Sequence, residues 1–225
     1  MNESGSPTVD TPVGRRASRR DEILRATRAL FDATGSREAQ IEDIARAVGI
    51  NRAIIYRHFI GKEELFAEVV VTYLGELSEN LAAADDRSRP AAERLGLLTD
   101  ALFDYAIGQP AFVDCAMTLV RRPGEELMAE VGQAVMIRLG QAMWGSLSHA
   151  VEVLKTGNTT GEFEVADPIL LSNLFYTQAL GALSLAMLQM SVHEGGDGVP
   201  ATENVPIEEI KRYARIAAVA QARGI

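Results

Sequence analysis

The chain has 225 residues, 47% hydrophobic but only 6% aromatic, a composition that favours helices packed round aliphatic cores over a β-sandwich. A single cysteine, Cys115, excludes an internal disulfide framework and fits a reducing, cytoplasmic setting; no apolar run opens the chain, so no signal peptide is expected. The net charge of −9 argues against a nucleic-acid partner until its distribution is read: residues 11–62 hold eleven Lys and Arg against six Asp and Glu, whereas residues 63–225 hold eleven against twenty-three. A basic head is drawn to phosphates while an acidic body is repelled from them.

Residues 1–14, rich in Gly, Ser, Pro and Thr, have the composition of a disordered arm. Arg15, Arg16, Arg19 and Arg20 form a basic patch, and Ser18 followed by Asp21 resembles a capping box that starts the first helix. Ile23, Leu24, Thr27, Leu30 and Phe31 continue it at helical spacing to Gly35. Ile41, Ile44, Ala45 and Val48 mark a short second helix, and Gly49 supplies a tight turn. Asn51 is a good N-cap for a third helix reaching about Phe59, with Ile55 and Phe59 inward. Gly61 breaks the chain and Lys62 begins a long fourth helix with Phe66, Val69, Tyr73 and Leu77 inward.

Residues 15–62 thus form a three-helix head and 63–225 a helical body; the expected fold is all-α. In the body, helices are predicted over Ala91–Gly108, Pro110–Arg122, Pro123–Leu154, Ile169–His193 and Ile207–Arg223, with loops at Lys155–Val165 and Gly195–Pro206 and no strand-like alternation. The span Ile169–His193 carries no Asp, Glu, Lys or Arg, but Ser172, Asn173, Thr177, Gln178, Ser184 and Gln189 are spread along it. Those groups fit a helix buried between protein layers better than one in lipid, so no membrane partner is expected.

Two short helices joined at a glycine turn, the second rich in exposed polar residues, describe a helix-turn-helix. The first short helix crosses the DNA backbone while the second presents side chains to base edges in the major groove. Arg52, Ala53 and Ile54 are placed to face bases. Tyr56, Arg57 and His58 follow on the exposed turns, with Lys62 at the start of the fourth helix. Arginine reads guanine bidentately, whereas tyrosine, histidine and lysine suit phosphates.

The run Ile41-Glu42-Asp43-Ile44-Ala45, Val48-Gly49-Ile50-Asn51-Arg52-Ala53-Ile54-Ile55-Tyr56-Arg57-His58-Phe59 and Lys62-Glu63-Glu64-Leu65 closely resembles the DNA-binding domain of the tetracycline-repressor (TetR) family. The resemblance covers about the first third of the chain. It implies a cytoplasmic, homodimeric transcription regulator on a double-stranded, near-palindromic operator, with a C-terminal helical bundle for effector binding and dimerisation. It implies further that Tyr56, His58 and Lys62 clamp phosphates, that Arg52 and Ala53 approach bases, and that Gln40, Ile41, Asn51, Ile54 and Arg57 complete the DNA-facing set. The last two helices would pair with a second subunit. Gln40 stands where the family usually has a threonine, and Ile54 where a hydroxyl residue is common; Ile54 suits a thymine methyl instead.

In the body, Phe103, Phe112, Met117, Met136, Met143, Trp144, Phe175 and Tyr176 are candidates to line an apolar or aromatic effector pocket, with Asp114 and His149 as polar anchors. The sequence carries no phosphate-cradling Gly-Lys-Ser/Thr loop, no His-Glu-x-x-His pair and no Gly-x-Ser-x-Gly elbow. No enzymatic activity, cofactor or metal is expected. The rival readings are an activator or effector-independent regulator of the same fold, and a helical enzyme or carrier.

Overall fold

A computed structural model describes residues 12–35, 39–122, 124–196 and 198–225. Ten helices and one short hairpin follow in the order α1 (Pro12–Thr34), α2 (Ile41–Val48), α3 (Arg52–Ile55), α4 (Lys62–Ala84), α5 (Ala91–Gly108), α6 (Pro110–Val120), α7 (Gly124–Glu130), α8 (Gln133–Thr160), α9 (Pro168–Leu188), β1 (Ser191–Glu194), β2 (Pro200–Glu203) and α10 (Ile207–Ala222) among the described residues. The architecture is all-α, as expected. Residues 1–11 of the expected arm lie outside the described residues. Pro12–Gly14 already belong to α1, so Ser18 is an interior helical residue and not the cap.

Two apolar clusters organise the chain. Ile23, Ile41, Ile44, Ala45, Ile55, Phe59 and Leu65 close a small core under α1, α2 and α3. The larger core is built on α4, whose Val69, Val70, Tyr73, Leu74 and Leu77 are buried. α4 packs most extensively on α8, and α5 lies against both and against α10. Because α4 contributes Leu65 to the small core and Val69 onward to the large one, one rigid helix joins the two.

Local differences from the expected elements have physical causes. The helix expected from Pro123 to Leu154 is interrupted at Val131–Gly132, yet Val131, Val135 and Leu139 keep four-residue spacing across the break. α8 then runs through Lys155 to Thr160, stopped by Gly161 in the left-handed conformation (φ 78°). The loop expected at Gly195–Pro206 contains β2, which pairs antiparallel with β1 in the register Val192↔Thr202. Strands of four residues are too short to show an alternation. Asp167 caps α9, accepting from the Ile169 and Leu170 N–H groups at 3.0 and 2.9 Å, with Pro168 at the first helical position. The helix expected to reach His193 ends at Leu188, where Gln189 turns left-handed (φ 51°), and residues 191–193 belong to β1 instead. α9 is long and apolar enough to cross a membrane by length and composition, and here it packs against α8 and α10.

Candidate nucleic-acid interface and body cavity

The outward face of the head follows from what its core claims. α2 buries Ile41, Ile44 and Ala45, and Gly49 reverses the chain with φ 71°, a conformation that favours glycine. The Ile50 N–H returns to the Ala45 carbonyl at 2.9 Å, closing the turn. Asn51 then caps α3 as expected, its Oδ1 accepting from the Ala53 N–H at 2.9 Å. With Ile55 and Phe59 held inward, Asn51, Arg52, Ala53, Tyr56 and Arg57 are exposed, and Ile54, His58 and Lys62 are partly so. Gln40 is exposed just before α2, its side chain making no cap bond. Ile41 is a correction: it is only 5% exposed and belongs to the head core, so its side chain presents no surface to DNA. The third helix is also shorter than expected, ending at Ile55 with residues 56–58 in a turn.

Charge placement gives this face its character. Arg52 Nη1 lies 3.1 Å from Glu42 Oε1, joining the start of α3 to α2. The backbone at Glu42 itself, and then Arg52, hold the Glu42 carboxyl below the usual range. Arg16 donates to the Arg57 carbonyl at 3.3 Å, bringing the basic N-terminal part of α1 beside the turn after α3. His58 feels that neighbourhood: burial first, then Arg16, Arg20 and Arg19, push its pKa down. Its Nδ1 is buried without a hydrogen-bond partner among the described residues.

Two ionic networks, neither anticipated from the sequence, tie this face to the body. The buried Glu68 carboxylate of α4 accepts from Arg20 of α1 and from Arg138 of α8. Arg20 also lies over the Phe59 ring, 4.8 Å from its centroid. About two turns further along, Arg28 Nη2 meets Glu76 Oε2 at 2.7 Å, the Tyr73 hydroxyl donates to Asp32 at 2.6 Å, and the Tyr105 hydroxyl of α5 donates to Glu76 at 3.0 Å. The available signal was Glu68 itself, a carboxylate among the apolar residues of the inward stripe of α4, where Glu64 is also buried.

The body holds a cavity of about 730 Å³ bounded by α4, α5, α8, α9, α10 and the hairpin. Of the ten residues expected to line a pocket, Phe103, Phe175 and Tyr176 do so. Phe112 is a fully buried core residue of α6, packed on Tyr73 and Tyr105, and Asp114 and Met117 share its helix, which does not border the cavity. Met136, Met143 and Trp144 lie on α8 away from it, Trp144 being 49% exposed. His149 hydrogen-bonds Ser78 at 3.2 Å outside it. The wall is instead made by aliphatic residues of α4, α5 and α10, among them Leu77, Leu98, Leu102 and Ala214, which nothing in the sequence distinguishes from ordinary core.

Residues 23–69 match the sequence profile of the bacterial regulatory proteins, tetR family. The HTH-type transcriptional repressor KstR2 of Mycobacterium tuberculosis is 33% identical over 96 residues, which are 43% of this chain and 48% of that protein. The chain thus spans about half the length of the curated relatives it matches. Over most of the chain the fold is shared with RolR in complex with resorcinol (TM-score 0.65, 16% identity, 93% of this chain and 90% of that one). It is shared equally with the transcriptional regulator FadR of Bacillus subtilis in complex with stearoyl-CoA (TM-score 0.64, 15% identity, 89% and 97%). At such identities the structural likeness concerns the fold alone.

Proposed function

We propose, from the premise that this chain belongs to the tetR family of bacterial regulatory proteins, that it is a cytoplasmic transcription regulator whose dimer represses from a near-palindromic DNA site and releases it when an apolar effector enters the body. The observation that carries this reading is the capped α3 with Asn51, Arg52, Ala53, Tyr56 and Arg57 all turned outward beside the arginines of α1. In mechanism, Arg52 and Ala53 read base edges, with Ile54 against a thymine methyl. Tyr56, Arg57, His58 and Lys62 grip phosphates on either side, fixing register without reading sequence. Gln40 supplies a polar group at the α2 end of the same grip.

The body acts on the head through α4. Glu68, bound at once to Arg20 below the recognition turn and to Arg138 on α8, makes the position of α1 depend on the packing of α8. An effector filling the cavity between α4, α5, α8, α9 and α10 shifts α4 only if it binds the DNA-incompetent arrangement better; equal affinity for both would move nothing. The resorcinol and stearoyl-CoA complexes of fold neighbours support a ligand-responsive body, and the tetR-like head supports a regulator over a helical enzyme or carrier.

The test is selection of duplexes from a randomised library by the full chain, followed by anisotropy titrations at several salt concentrations. The expected result is enrichment of a near-palindrome and an affinity that falls steeply with salt. Absence of duplex binding even at low salt would overturn the proposal.

A further inference from the structure

We propose that the body cavity takes an uncharged, predominantly apolar molecule with a hydrogen-bonding oxygen at its inner end, received by the Tyr176 hydroxyl; this rests on the ligand-sensing half of the proposed function. The volume, about 730 Å³, falls in the range that encloses a drug-sized ligand. Its wall is mostly Leu, Ala and Phe side chains, which fit a hydrocarbon body of no fixed shape.

The polar groups of the wall narrow the choice. Buried Ser146 donates to the Leu74 carbonyl and Ser172 to the Leu147 carbonyl, each at 3.0 Å, and Thr99 donates to the Leu95 carbonyl at 2.9 Å. These hydroxyl protons are committed to backbone. Tyr176 differs. It is 9% exposed, lines the cavity, and its hydroxyl has no hydrogen-bond partner among the described residues. Burial alone pushes its phenol pKa up, with no charge or hydrogen bond among the causes. That hydroxyl opens on the cavity and is not committed to the protein, so an oxygen acceptor on a ligand can pair with it.

Charge sets the second limit. Among the described residues no Lys, Arg or His lines the cavity, and the two ionised side chains that do, Glu203 and Glu209, are exposed residues of β2 and α10. A carboxylate carried inward would lose its hydration without a counter-charge, and a phosphate group left outside would sit beside two acids.

The test uses three probes of one chain length, 1-decanol, decanoate and decanoyl-CoA, on the full chain at mildly alkaline pH. Affinity is read by calorimetry and thermal shift, and release of the selected duplex by anisotropy in parallel. The expected result is that 1-decanol binds and raises Tm, while both anions bind at least about tenfold more weakly. Tyr176→Phe should keep the ligand-free Tm, since it removes an unpaired hydroxyl, and weaken 1-decanol about three- to tenfold. Ala182→Phe, filling the cavity from α9, should abolish binding. Tighter binding of either anion overturns the proposal and leaves the regulator reading intact. Undiminished 1-decanol affinity in Tyr176→Phe overturns the role of the phenol. Binding of 1-decanol without release of DNA upholds the site and overturns effector control. If none of the three binds, site and effector reading fall together, while duplex binding by the head still stands.

Discussion

Arg52 opens α3 with its guanidinium 3.1 Å from the exposed Glu42 carboxylate. A solvated pair of this kind adds little to stability, so its consequence is orientation: the acid holds the fork of the arginine at the edge of the recognition turn. Arg52→Ala should cost about 1–3 kcal/mol on the preferred site and relax preference at one base position. Lys62→Ala should weaken all sequences alike and reduce the salt slope by roughly one. Library binding at two salt concentrations separates the two roles, and identical behaviour of the variants would show that they are not divided. His58 adds a pH dependence with two opposite signs. Burial and the three arginines of α1 hold its folded pKa below the 6.5 of the unfolded chain, so the folded protein binds fewer protons there. The stability this contributes is present above pH 6.5 and is lost as the pH falls below it. A phosphate brought against the ring reverses the local field and favours imidazolium. Between about pH 8 and about pH 6, duplex affinity should therefore rise while thermal stability falls. Melting curves and anisotropy on the wild type and His58→Gln check both signs; a pH slope of affinity unchanged in His58→Gln would remove the residue from the contact.

Among the elements, α4 carries the coupling. Glu68 is buried between an arginine of the head and an arginine of the body, and a carboxylate so placed holds both partners because leaving it unpaired is costly. Arg138→Ala, on a helix with no part in the helix-turn-helix, should weaken duplex binding by about 0.5–2 kcal/mol, whereas Arg121→Ala, exposed at the end of α6, should not. Equal affinities for the two variants would break this link. The end of α8 rests on a close approach. A Cβ at Gly157 would stand 2.1 Å from the Phe163 ring, which is 6% exposed and folds back under the helix. Gly157→Ala should cost about 1–3 kcal/mol of stability by forcing that ring out, measurable by urea denaturation with little change in duplex affinity. How far such elements could be read in the sequence depended on whether the signal was local. Gly49 and Asn51 act on their own neighbours, so the turn and the cap of α3 were legible. The break at Val131–Gly132 was hidden because Val131, Val135 and Leu139 preserve helical spacing across it, and a Cβ at Gly132 would stand 3.3 Å from the Ile60 side chain of the head. The outward residues of α3 were legible from the inward Ile55 and Phe59. The cavity wall was not, since a leucine lining a void and a leucine filling a core share one pattern.

On the scale of the whole molecule, the unpartnered surface of α9 and α10 bears on assembly. The small residues of α9 do not all lie on one outer face: Ala179 and Ala186 are buried, Ala182 and Ser184 half-buried, and Gly181 exposed. What α9 turns outward is instead Leu170, Leu174, Gly181, Leu185 and Leu188, spaced at helical intervals along its length. The leucines of this stripe are between 40% and 67% exposed, and on α10 Tyr213 and Ile216 are 58% and 53% exposed. A contiguous apolar face of this extent is uncommon on a monomer. Gly181 at the middle of the stripe allows the backbone of a facing helix to approach, and a two-fold pairing of this face on itself would match a palindromic site with one recognition turn for each half. The chain is therefore expected to be a dimer at micromolar concentration by light scattering. Leu174→Glu places a charge at the middle of the stripe, and its twin would face it across the two-fold axis. The variant should be monomeric with unchanged helicity, because Leu174 is exposed in the isolated fold and contributes little to its core. Losing the linked second half-site should then lower affinity for the palindrome by about 10²-fold or more, while affinity for a single half-site stays level. A wild type that is monomeric, or a Leu174→Glu variant that remains dimeric and binds the palindrome normally, would place the subunit interface elsewhere on the body.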